Sequence, residues 1–217
     1  ILAYVPPIAP LPRPEVPASG VFPDGGGWFR EAVDSPEALM GVLYNIKSRG
    51  GCHCHKETNG LALAGYGERL LVNGGWLGPS QARASQQNTL TVDGKDHRTK
   101  HGGGLEEGFT APGFDYACGL DGPAIPKVEF ARSLCFVHSQ EGAPGYFVVF
   151  DEVQANAEAT IETFIHPATE SDIECVAEKQ EYVARIDHHA TDPGAATLRV
   201  FYATPPASVK ESKQTSG

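Results

Sequence analysis

The chain has 217 residues, 41% apolar and 20% charged, with a formal net charge of −10. That is long enough for one sizeable core, too acidic for a nucleic-acid partner, which wants a basic face, and free of any apolar run near the eighteen or so residues of a membrane span. Five cysteines (Cys52, Cys54, Cys118, Cys135, Cys175) are too sparse for a disulfide framework or paired zinc knuckles, and read as mostly free thiols with room for one bridge.

In chain order, residues 1–20 open with six prolines in seventeen positions. Proline fixes φ and removes donors, so this stretch is expected to be an extended connector. With a start at Ile1 and Met40 as the only methionine, it reads as the link from a missing upstream domain. Residues 35–47 could start a helix at Ser35-Pro36, but the β-branched and aromatic content further on favours a strand. Residues 61–75 predict a hairpin turning near Gly67-Glu68, and 88–94 a strand ending in a tight turn. Further strands are expected over 127–139, 145–153, 158–167, 181–190 and 196–204. The end, 206–217, is polar and expected to be disordered. Short strands at intervals of roughly 8–12 residues signal an all-β sandwich or barrel over residues 21–205.

Cys52-His53-Cys54-His55 invites a zinc reading. On a strand, however, His53 and His55 share one face and the two cysteines the other, so the four cannot form one tetrahedral site. Two imidazoles on one face either present an ion with two ligands or hydrogen-bond within a polar pocket. A cupin-like metal enzyme also carries such a pair on a strand, but Glu57 comes too soon for the carboxylate that usually follows. Free cysteine is usually buried, so the cysteine face should meet the core and His53 should lie on an open concave face. The run Lys95 to His101 concentrates basic residues that could line a polyanion groove, or form a solvated hairpin tip. Asp187-His188-His189 reads as a polar strand end, and Tyr66 and Tyr116 as packing residues.

Several motifs in register are more specific. VFPDGGGWFR (21–30) is followed by HCHKETNGLALAGYGERLLVNGG (53–75), RASQQNTLTVDGK (83–95), RSLCF (132–136), YFVVFDEV (146–153) and FIHP (164–167). This order resembles the C-terminal sandwich domain of heparinase II/III-like polysaccharide lyases, from about Val21 to Pro167. The resemblance implies an all-β, two-layer antiparallel β-sandwich. It also implies a missing N-terminal α/α-toroid domain, a periplasmic or secreted location, and an acidic, uronate-containing polysaccharide as partner, cleaved by β-elimination. It makes His53 the catalytic residue and His55 a ligand of a structural zinc. The other ligand positions hold Asn73 and Gln87, neutral amides that zinc does not favour, so no cofactor is expected. Arg83 and Asn88 become candidate donors to the uronate carboxylate. The alternative reading is a non-catalytic carbohydrate-binding or scaffold sandwich.

Overall fold

The computed structural model describes residues 17–35, 37–47, 54–74, 82–168, 173–176, 180–186, 196–210 and 212. The architecture is all-β and antiparallel, and the described residues contain no α-helix. A five-stranded sheet follows chain order: β1 (Gly20–Phe22), β2 (Gly26–Arg30), β3 (Met40–Tyr44), β4 (Gly60–Gly65) and β5 (Glu68–Leu71). It faces a four-stranded sheet in the order β10-β9-β8-β7, where β7 is Gly104–Ala111, β8 Phe114–Leu120, β9 Val128–Val137 and β10 Tyr146–Ala155.

Alternation explains the layers. Phe29, Leu43 and Leu61 point inward from the first sheet and meet Ala117, Leu134 and Phe136 from the second. Trp28, between inward neighbours, is exposed. The strand expected within 35–47 is β3; Leu43 is buried on one face, and the chain pairs with β2 and β4 on either side.

Two smaller sheets complete the fold. β6 (Leu90–Val92) pairs with β11 (Ile161–Thr163), covering Ala124, Ile125, Val128 and Phe130. β12 (Ile173–Val176), β13 (Glu181–Ile186) and β14 (Ala196–Phe201) form a meander whose Tyr182, Ala184 and Leu198 pack on Leu70 and Leu71 of β5. The β4–β5 turn lies at Tyr66-Gly67 (φ 57° and 80°), one residue before the expected position. Asp93-Gly94 (φ 53° and 64°) makes the tight turn expected after β6. Positive φ at both central residues matches the right-handed twist of the flanking strands.

Three differences from the sequence reading have physical causes. Ser19 already belongs to the sandwich, because its hydroxyl donates to Asp115 Oδ2 at 2.7 Å and accepts from Arg30 N at 3.0 Å. The β7–β8 hairpin has a weak sequence signature, since Glu106, Glu107 and several glycines mask its alternation; its signal is Pro112-Gly113 between apolar runs. Cys54 to Asn59 is no strand. The chain turns there, with Gly60 N donating to Glu57 O at 2.7 Å and Asn59 at φ 56°. The facing of Cys54 and His55 therefore does not follow strand alternation, and both are half-buried. Residues 206–210 are exposed and outside any strand. Among the described residues no helix is long and apolar enough to cross a membrane.

Candidate functional site

The loop before β4, the end of β5, the stretch before β6 and the chain after β11 converge on one polar cluster. A short 3-10 turn, Ala84–Gln86, delivers Gln87 and Asn88 to it. Gln87 Oε1 accepts the Gly74 N–H at 3.0 Å. A backbone N–H can only donate, so this bond fixes the amide and turns Nε2 toward His55 Nδ1, 3.4 Å away. Asn73 is oriented in the same way: Oδ1 accepts from Asn88 N at 2.9 Å, leaving Nδ2 to donate to Glu57 Oε2 at 3.2 Å.

Asn88 is 1% exposed. Its Nδ2 donates to Leu61 O and Val72 O, both at 2.9 Å, and its Oδ1 accepts from His166 N at 2.6 Å. The side chain expected to contact substrate is thus committed to tying β4, β5 and the post-β11 segment together. His53, the expected catalytic residue, lies outside the described residues, as do Cys52 and Asp187 to His189.

Arg83 is exposed just before the 3-10 turn. With Ser85, Thr91, Gly94 and Asp96 it lines an open depression of about 290 Å³. Lys56 reaches the same place through Asp96, at 2.8 Å. Burial acts to raise the Asp96 pKa, but the Ala84 N–H and Lys56 outweigh it and hold the carboxyl below its usual value. The basic run divides here: Lys95 and Arg98 are exposed, while His97 is buried with Nε2 donating to Leu90 O at 2.8 Å. Burial lowers the His97 pKa and keeps the ring neutral.

Two further participants are Glu57, set aside above as a cupin-type ligand, and His166, to which the sequence assigns no role. Burial pushes Glu57 up to about 7, against a hydrogen bond from the His55 backbone that lowers it, which poises it for proton transfer near neutrality. Burial also lowers the His166 pKa, while hydrogen bonds to the backbone of Ser85 and Gln87 oppose that; its Nε2 is buried without a partner. FIHP (164–167) was a visible signal for His166, a polar residue just past a strand.

Zinc does not fit this arrangement. The Nδ1 lone pair of His55 faces an amide N–H, and the second ligand position donates to a carboxylate. Among the described residues no group of three His, Cys, Asp or Glu side chains is arranged to hold a metal ion. Protein purified without chelators is expected to carry well below one zinc per chain by elemental analysis; a stoichiometric content would show that the amides are displaced.

Neither a family model nor a curated protein matches the chain.

Proposed function

We propose that the chain is the β-sandwich portion of a heparinase II/III-like lyase that cleaves uronate-containing polysaccharide by β-elimination. One observation carries the reading: motif segments far apart in sequence interlock through side chains. His55 meets Gln87, Asn73 meets Asn88, Asn88 meets His166, and Arg132 donates to Asn88 O. β-Elimination needs the uronate carboxylate neutralised, a base for the C5 proton and an acid for the leaving oxygen. In this reading His53 moves a proton and Arg83 offers its guanidinium to the carboxylate. Asn88 holds the frame. An upstream α/α-toroid domain completes the groove, the location is periplasmic or secreted, and zinc takes no part.

A second reading, a non-catalytic carbohydrate-binding sandwich, is favoured by the amides at the zinc positions, which bond within the cluster. The test is to offer the chain a panel of acidic polysaccharides and follow both retention and unsaturated uronate products. Salt-sensitive retention is expected from the chain alone, with product only when a toroid domain is joined to it. There, His53→Ala should slow product formation by roughly 10²- to 10⁴-fold. Retention without product in the joined protein selects the second reading; no retention of any acidic polysaccharide overturns both.

A further inference from the structure

Sheet edges invite pairing with other chains unless something guards them. Most edges here are guarded. β1, β5, β6, β11 and β12 are only three or four residues long. β7 is bulged between Leu105 and Glu107 and carries Glu106 and Glu107. β14 carries Arg199, paired with Glu181.

β10 lacks the shortness, the bulge and the paired arginine of the others, and its one acidic pair, Asp151-Glu152, lies in its second half. It runs for ten residues, Tyr-Phe-Val-Val-Phe-Asp-Glu-Val-Gln-Ala, in unbroken register with β9 and without lysine, arginine or proline. Among the described residues its backbone hydrogen bonds go to β9 alone. Tyr146, Val148 and Phe150 are 55%, 45% and 57% exposed on the outer face. They continue rows of that face: Phe114 and Val137 lead to Tyr146, and Tyr116 and Cys135 lead to Val148.

We infer that the free edge of β10 pairs antiparallel with β10 of a second copy of this chain, joining two four-stranded sheets into one. The argument for a second copy is self-complementarity. Residues opposite each other in an antiparallel pair share a face, so a two-fold axis through Val148 sets Tyr146 against Phe150 and Phe147 against Val149 of the other copy. The acidic pair then faces neutral positions, Asp151 opposite Gly145 and Glu152 opposite Pro144. Shifting the axis to Asp151 or Glu152 would set like charges face to face, which is unfavourable. Each copy carries a net charge of −10, so the dimer tightens as salt screens that repulsion. None of this depends on the lyase reading.

Sedimentation velocity over a range of concentration and ionic strength tests it. The expected species has twice the 23.1 kDa of one chain, more populated at high salt. Val148→Lys or Phe150→Lys should each return the monomer, at exposed sites where folding survives. Phe22→Lys, on exposed β1, should leave the dimer intact. Mixing Tyr146→Cys with Phe150→Cys protein should give a disulfide-linked dimer beyond the wild-type background. Each variant alone should not, because like positions lie about 13 Å apart along the paired strands. A monomer under all conditions overturns the inference, as does a dimer that both lysine variants leave untouched.

Discussion

Replacing Arg132 by methionine is expected to cost about 3–5 kcal/mol of stability, the usual range for removing one partner of a buried ion pair. Arg132 is 1% exposed in the middle of β9. Its Nε and Nη2 donate to the two oxygens of Asp151 at 2.6 and 2.7 Å, and Nη1 donates to Asn59 O and Asn88 O at 2.9 and 2.7 Å. The substitution strands the carboxylate and two carbonyls together. Lysine should recover less than half of the loss, because one ammonium cannot span a bidentate carboxylate and two carbonyls. Removing Asp151 as well, with leucine, should recover part of it, since no charge is then left unpaired. Urea midpoints of the four proteins would decide; a loss below about 1 kcal/mol for Arg132→Met would mean that water replaces the guanidinium.

Glu57→Gln should stabilise the protein by up to about 3 kcal/mol above neutral pH and by almost nothing near pH 4. Burial raises the Glu57 pKa from 4.5 to about 7. Between those values the native state keeps a proton that the unfolded chain has released, so stability falls as pH rises through this window. Glutamine retains an oxygen for Asn73 and never ionises. Other groups titrate nearby: burial raises Asp121 to about 6 and lowers His97 and His166. They are common to both proteins and cancel in the difference. If wild type and variant lose stability in parallel from pH 4 to 8, Glu57 titrates as an ordinary surface carboxyl.

Strand content was legible where one face is buried. Val128 to Val137 alternates into the core, and Gly67 and Gly94 punctuate their turns because positive φ suits glycine. The loop at 54–59 was not legible, because distant partners shape it. Asn59 donates to Gly119 O at 2.9 Å and accepts from Asn45 Nδ2 at 2.6 Å, and Thr89 Oγ1 donates to Thr58 O at 2.6 Å. Those bonds pull the chain into a turn where local alternation suggested a strand. The convergence of Gln87 with His55 was implied by the resemblance and by no local pattern. The burial of Asn88 did not, because an asparagine beside a strand gives no sign of which carbonyls it will meet. Arg132 likewise stood in a motif without a role, since its hydrogen-bond partners come from three other segments.

The placement of the two main sheets along the chain also sets a timetable for synthesis. The five-stranded meander ends at Leu71, whereas the opposing sheet is finished only at Ala155. The intervening residues, about 80 of them, take on the order of ten seconds to translate at typical rates. Until β8 and β9 are made, Phe29, Leu43 and Leu61 lack Ala117, Leu134 and Phe136 to cover them. In a chain of this design, the length of that exposure is set by the order of the strands along the chain rather than by the stability of the finished fold.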